Sequence, residues 1–434
     1  MHRRLPVLIL LLVASLLVPS PALAAGTLFV SPSGDDGNSG ASAATSLATI
    51  QEALDRAGRG TTVRLGAGTY LQDAVTRRAG VTVSGPRQAV VKGGGNGRIF
   101  EINHDDTTLS GFTIDGQAGK ASGADGFRDK LVFVVGTTPG DGVGGTRIQD
   151  MALRNAGGEC IRLKYLASGA DISGNTIGPC GVHDFRFGAG GKNGEGVYIG
   201  TAPEQLGRNP DDRPDVSRDN KVHDNRIDTG GNECVDIKEG STANDVFAND
   251  CTGQRDPNSA GMDARGSGNA FRGNRIHDNV GAGIRFGGDT ATDGTGNDAI
   301  GNEITGNRAG GIKFQAAPQG QVCGNRFSGN GGGVAVGAKA AGVDPARGCP
   351  PGVDTGTAPP RAPTPAPTTT TTTTTQAPAP SARPGQASPT VSFELDQALL
   401  EALGRSGLLQ VVQLVLELLR DALPELGSVT ISRR

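Results

Sequence analysis

The sequence predicts an all-β solenoid, a chain wound into stacked coils of short parallel strands. The first observation is a strand phrase that recurs in register. Glu159-Cys-Ile-Arg-Leu-Lys164 returns as Glu195-Gly-Val-Tyr-Ile-Gly200, Glu233-Cys-Val-Asp-Ile-Lys238, Ala260-Gly-Met-Asp-Ala-Arg265, Ala282-Gly-Ile-Arg-Phe-Gly287 and Gly310-Gly-Ile-Lys-Phe-Gln315. Each phrase alternates apolar and variable residues, as a strand with one buried face does. The second is a phrase apolar-x-x-Asn-x-apolar around Asn175, Asn225, Asn249, Asn274, Asn302 and Asn325, at a spacing of mostly ~25 residues that suits a coil of three strands and their turns. An Asn in every coil tolerates left-handed turn geometry and can hydrogen-bond its neighbour. The third is the glycine content, 70 of 434 residues, which suits a chain of tight turns.

Residues 1–24 read as a signal peptide, with Arg3 and Arg4 before an apolar run and Ala22-Leu-Ala24 as a small-residue cleavage site. The remainder is expected to be secreted and extracellular, where its 6 Cys can be oxidised. Residues 25–349 form the solenoid domain. Its opening runs Leu28-Phe-Val-Ser-Pro-Ser-Gly-Asp-Asp-Gly-Asn-Ser-Gly40, then Leu47-Ala-Thr-Ile-Gln-Glu-Ala-Leu54, then Thr62-Val-Arg-Leu-Gly-Ala-Gly-Thr-Tyr70. Leu47, Ile50 and Leu54 share one helical face. Opening and repeats together resemble the secreted right-handed parallel β-helix (pectate-lyase-like) superfamily. The resemblance implies a right-handed single-stranded parallel β-helix whose open end is capped by a short N-terminal helix. Cys160 and Cys234 share a column two coils apart, too far for a disulfide at ~4.8 Å per strand. Cys323 with Cys349 would pin the last coil to its tail.

Residues 350–390 are rich in Pro, Thr, Ala and Ser and read as a disordered linker. Residues 391–434 carry a broad apolar stripe from Leu399 to Leu419 and read as a short C-terminal amphipathic helix, interrupted by Gln410, Gln413 and Glu417 and thus no membrane span. Through this helix the chain would contact a membrane or envelope, or dock on itself. Net charge is −3, so nothing argues for nucleic acid as a partner. There is no Trp and aromatic residues are 4%, which leaves little material for stacking on neutral sugars. An anionic polysaccharide held by charge is the expected partner, and a monomer the expected state.

Chemistry is expected on the outward residues of the strand phrases. The column nearest the start reads Cys160, Gly196, Cys234, Gly261, Gly283, Gly311; the middle column reads Arg162, Tyr198, Asp236, Asp263, Arg285, Lys313; the last reads Lys164, Gly200, Lys238, Arg265, Gly287, Gln315. Stacking at ~4.8 Å sets Asp236 beside Asp263 and Lys238 beside Arg265, which costs energy unless opposite charges, a metal or a ligand compensate. Glu159, Glu195 and Glu233 open successive phrases. Insertions at 181–194, 201–220 and 252–259 are expected to wall a groove over these residues. Arg162, Lys164, His183, Arg186, Arg255 and Arg285 are the candidate substrate-binding residues, and Lys192 a further wall residue.

Glu233-Cys-Val-Asp-Ile-Lys-Glu-Gly-Ser-Thr-Ala-Asn244 followed by Gly261-Met-Asp-Ala-Arg-Gly-Ser-Gly-Asn269 resembles the alginate lyase and chondroitinase B family. Arg265 matches the family arginine and Glu233 one of its calcium-binding acids. The family lysine falls on Gly240 and the second acid on Val235, so Lys238 and Asp236 take those roles only if the strand presents them to the same groove. The resemblance implies β-elimination on a uronic-acid-containing polysaccharide. Calcium would be held by Glu195, Glu233, Asp236 and Asp263. Lys238, its pKa lowered by Arg265, would be the base. Arg265 would hold the developing charge, and Tyr198 or Arg265 would assist the leaving oxygen. Two alternatives stay open: a glycoside hydrolase using Asp236 and Asp263, and a non-catalytic extracellular or envelope carbohydrate-binding or structural protein.

Overall fold

A computed structural model describes residues 26–290 and 292–353, with the backbone of 391–395 and 429–433. Each coil gives one short strand to each of three all-parallel sheets, of 11, 10 and 10 strands. The architecture is the right-handed parallel β-helix. Its core consists of columns that repeat coil after coil. One column stacks Ile148, Ile172, Val222, Val246, Phe271, Ala299 and Val322 in register. A second stacks Leu153, Ile177, Ile227, Cys251, Ile276 and Ile304. A third stacks Leu163, Ile199, Ile237, Ala264, Phe286 and Phe314. All are buried, and each large aliphatic or aromatic side chain contributes about 1.5–3 kcal/mol by leaving water. No single coil can bury its apolar face without its neighbours.

The cap is the helix Ile50–Arg56, started by Thr49, whose side chain accepts from the Glu52 backbone N–H. It buries Ile50, Ala53 and Leu54 against the first strands. Leu47 lies before the helix, buried and bridged to Val30, so the helix is one turn shorter than its apolar spacing predicts.

The Asn column forms the expected ladder. Amide nitrogen donates to amide oxygen from Asn175 to Asn225 (2.9 Å), Asn225 to Asn249 (3.0 Å), Asn249 to Asn274 (3.0 Å), Asn274 to Asn302 (3.0 Å) and Asn302 to Asn325 (2.9 Å). The left-handed residue of each turn is the one before the Asn: Gly174, Asp224, Ala248, Gly273, Gly301 and Gly324. Two further ladders run beside it, through Asn220, Asn244, Asn269 and Asn297 and through Asn279, Asn307 and Asn330. Buried amides in such a ladder satisfy one another and the backbone at once.

The disulfides are Cys160–Cys180, Cys234–Cys251 and Cys323–Cys349. The Cys160/Gly196/Cys234/Gly261/Gly283/Gly311 column therefore points inward, contrary to the sequence expectation. A Cβ on Gly196 would meet Ile227, on Gly283 Ile304, and on Gly311 Phe327. The chain turns the corner between two sheets there, so the two-residue alternation slips and only small or disulfide-bonded residues fit.

The segment expected to be a signal peptide, and nearly all of the segment expected to be a linker, lie outside the described residues. In the unit Pro363–Arg434, Val391–Leu395 and Val429–Arg433 pair as parallel strands. These strands stand at the two ends of the segment expected to carry the helix, and its apolar stripe lies outside the described residues.

Candidate functional site

The middle outward column stacks as the alternation predicts: Arg162 beside Tyr198, Tyr198 beside Asp236, Asp236 beside Asp263, Asp263 beside Arg285, Arg285 beside Lys313. Strand pairing alone fixes this order. The last column continues by backbone hydrogen bonds from Lys238 N to Ile199 O and from Arg265 N to Ile237 O. Two adjacent aspartates are tolerated because cations interleave with them. Lys238 Nζ lies 2.6 Å from Asp236. Arg265 lies 3.6 Å and Arg285 3.4 Å from Asp263. Arg265 also reaches Asp289 at 3.2 Å and Glu239 at 3.7 Å.

Above this cluster lies a cleft of about 240 Å³. Its floor includes Tyr198, Lys238, Arg265 and Arg285, and all three insertions contribute walls: Lys192 and Asn193, Glu204 and Gln205, and Asn258 and Ser259. Lys192 ion-pairs with Asp256 at 2.6 Å.

The three stacked glutamates differ in partners. Glu159 is saturated by Lys130 at 2.9 Å and Arg162 at 2.7 Å. Burial works to raise its carboxyl, but these cations bring it down to about 2. Glu195 has no such cation against it; burial, then Glu159 and Asp236, push it up to about 7. Glu233, accepting from the Ser259 hydroxyl, is pushed well up by burial and by Asp236 and Glu195. Asp263 is raised by burial and by Asp236, against Arg285 and Arg265.

Carboxylate oxygens of Glu195, Glu233 and Asp236 lie within 4.8 Å of one another. Glu233 Oε2 and Asp236 Oδ1 are buried without a hydrogen-bond partner. Orphaned acceptors in an all-oxygen donor set are what a hard cation such as calcium requires, so these residues fit calcium. Asp263, expected as a fourth ligand, stands outside this trio, although both of its oxygens also lack a hydrogen bond.

Lys238 differs from the sequence expectation. Burial favours its neutral form, but the Asp236 carboxylate and Tyr198 outweigh burial and Arg265, so its pKa is raised rather than lowered. Lys238 is a held ammonium in the free protein. Tyr198 is pushed up by burial against the pull of Lys238 and Arg162, which keeps its hydroxyl protonated. The Arg162 guanidinium lies 3.5 Å from the Tyr198 ring centre.

The structure gathers Tyr198, Lys238, Arg265, Arg285, Glu195 and Glu233 around one cleft. Other expected substrate-binding residues do not line it. Arg162 is buried beneath Tyr198 and Gln205. Lys164 lies 3.5 Å from the Arg208 carbonyl and is pushed down to about 8 by burial and by Arg162 and Arg98. His183 Nε2 lies 3.1 Å from the carbonyls of Ala124 and Phe127, and Arg186 donates to Ala121 O; both pin the 121–127 loop. Arg255 is exposed, with its backbone N–H bonded to Gly231 O. Sequence reasoning missed Glu239, buried with neither oxygen hydrogen-bonded, and Asn232, whose amide lies 3.4 Å from Glu195. Glu239 directly follows Lys238, the one sequence signal that could have found it.

No protein-family model and no curated protein matches this chain. Among solved structures it is similar to an alginate lyase from Paenibacillus sp. str. FPU-7, at 18% identity and a TM-score of 0.53, over 72% of this chain and 100% of that one. It is also similar to the pectate lyase Pel9A, at 12% identity and a TM-score of 0.50, over 70% of this chain and 79% of that one. At these identities the likeness establishes the parallel β-helix fold.

Proposed function

We propose that this protein is a carbohydrate-active β-helix protein that binds a uronate-containing, anionic polysaccharide in the cleft and cleaves it by β-elimination. The observation that carries the reading is the cation set Lys238, Arg265 and Arg285 lining one cleft together with a carboxylate trio that has orphaned oxygens. That solved structures of this fold similar to the chain include an alginate lyase and a pectate lyase supports it.

Glu195, Glu233 and Asp236 would hold calcium, which when bound neutralises the substrate carboxylate and takes up the charge of Asp236. Arg265 holds the uronate carboxylate and the charge that grows on it. Lys238, once its ammonium has released a proton to water, is the amine whose lone pair takes the proton from carbon 5. The C–H electron pair becomes the new double bond, and the bond from carbon 4 to the bridging oxygen breaks with its pair on oxygen. Tyr198, protonated in its buried setting, donates a proton to that oxygen.

A hydrolase built on Asp236 and Asp263 suits the geometry less well. The two are 1% and 0% exposed and neither lines the cleft, whereas Tyr198, Lys238 and Arg265 do, so the pair is poorly placed to act on a sugar and a water there.

The test is ultraviolet absorbance of the conjugated unsaturated uronate during incubation with alginate, polygalacturonate or chondroitin, with calcium and with chelator. A rise that chelator stops and Arg265→Ala abolishes is expected. New reducing ends without the rise would indicate hydrolysis. Binding without cleavage would leave a carbohydrate-binding protein.

A further inference from the structure

We infer that the cleft accepts the end of a polysaccharide chain rather than its middle, and that the turn Pro203–Arg208 is the stop that sets this specificity. The inference rests on the uronate-binding reading above.

An unobstructed parallel sheet would let a polymer lie along the outward column in both directions. Here the column is open on one side only. Toward the C-terminal coils, Arg285 and Lys313 are partly exposed, and Arg285 lines the cleft. Arg285, although paired with Asp263, and Lys313, which donates to the Asn258 carbonyl at 2.8 Å, keep further N–H groups for uronate carboxylates. Toward the N-terminal coils, the outward residues after Tyr198 are Arg162 and Phe133, 4% and 3% exposed. Tyr198 is as little exposed but still lines the cleft, whereas Arg162 and Phe133 do not; what separates them is the cover over each. Over Arg162 lies Gln205, whose Oε1 is 3.5 Å from the guanidinium. Beside it the Arg208 carbonyl is 3.5 Å from Lys164 Nζ. Over Phe133 lies the Arg98 guanidinium, 3.9 Å from the ring centre.

The turn thus covers the next coil while Glu204 and Gln205 face the cleft as its end wall. Glu204 adds a like charge where a continuing uronate would have to pass, which disfavours a chain that runs through. A sugar chain entering past Lys313 and Arg285 therefore stops at Gln205.

The test is binding stoichiometry. Full-length protein carrying Tyr198→Phe, which keeps the ring but removes the donated proton, is titrated against short and long fractions of alginate and of polygalacturonate. End recognition predicts one protein per chain, unchanged as the chain lengthens several-fold. Occupancy that grows in proportion to chain length would overturn the inference while leaving uronate binding intact. Replacing residues 203–208 with Gly-Gly is expected to convert the first pattern to the second; if that variant does not fold, the stoichiometry of the Tyr198→Phe protein alone decides. Absence of binding to either polymer would refute the uronate reading itself, and the inference with it.

Discussion

Removing the Lys238 ammonium is expected to damage the fold as well as the chemistry. Its outward position suggests that Lys238→Ala would leave the fold untouched. The structure argues otherwise, because Lys238 and Asp236 form a buried pair at 2.6 Å. Removing one partner of a buried pair costs about 3–5 kcal/mol, since an uncompensated charge stays behind. A stranded carboxylate can instead take up a proton, which at neutral pH sets a ceiling of about 4 kcal/mol, from an ordinary carboxyl pKa of ~3.9 at ~1.4 kcal/mol per unit. The expected loss is therefore about 3–4 kcal/mol, or about 6–8 °C in Tm at roughly 2 °C per kcal/mol. Thermal unfolding at pH 7 in chelator measures it. The double variant Asp236→Asn/Lys238→Met, which removes both charges, is expected to recover at least half of the loss. A Tm change of less than about 2 °C for Lys238→Ala, or no recovery in the double variant, would refute the reasoning that Asp236 holds Lys238 protonated.

Three other perturbations test the remaining structure. Asn225→Ala removes the donor to Ile172 O and Asn249 and the acceptor for Asn175 and strands buried polar groups at about 1–3 kcal/mol each; a Tm fall at least as large as that of Lys238→Ala is expected, and a fall of about 1 °C would contradict the ladder's role. Glu233→Gln is expected to fold normally, because the Glu233 carboxyl is already pushed toward its neutral form, yet to lose the calcium-induced rise in Tm, worth about 2.7 kcal/mol at a hundredfold excess over Kd. Glu159→Gln, outside the trio, should keep that rise, so equal behaviour of the two variants would refute the ligand assignment. His277 is raised by its hydrogen bond to Asp250, against burial, with Asp278 adding and Arg275 opposing. Its contribution is therefore fully present below ~6.5 and fades as pH rises through the raised value in the fold. The Tm gap between the wild type and His277→Gln should be widest in mild acid and close in alkali; a gap that widens with pH would contradict the assignment.

What could be read from the sequence was whatever repeats with the pitch of the coil. The order Arg162, Tyr198, Asp236, Asp263, Arg285, Lys313 follows from strand alternation and stacking, and the structure reproduces it. The ladder from Asn175 to Asn325 was equally plain, and the recurring five-residue step, as in Asn220 to Asn225 or Asn274 to Asn279, could have revealed its two companions. Alternation misled at Cys160 and Cys234, where the chain turns between sheets and the parity of faces slips. The charge state of Lys238 was out of reach because it depends on which neighbour comes nearest: adjacency to Arg265 suggested a lowered pKa, but the Asp236 carboxylate and Tyr198 reverse it. His183 and Arg186 were expected in the wall because they sit in an insertion, but loop charges fold back where carbonyls are available, here Ala121, Ala124 and Phe127.

The mass of the cleavage products is the most direct test of the proposed elimination on uronate residues by Lys238, Arg265 and Tyr198. Products whose new end has lost the elements of water, in amounts that fall away with Arg265→Ala, are predicted. Products that have gained water at the cut, or an intact polymer recovered from a protein that binds it, would contradict the account.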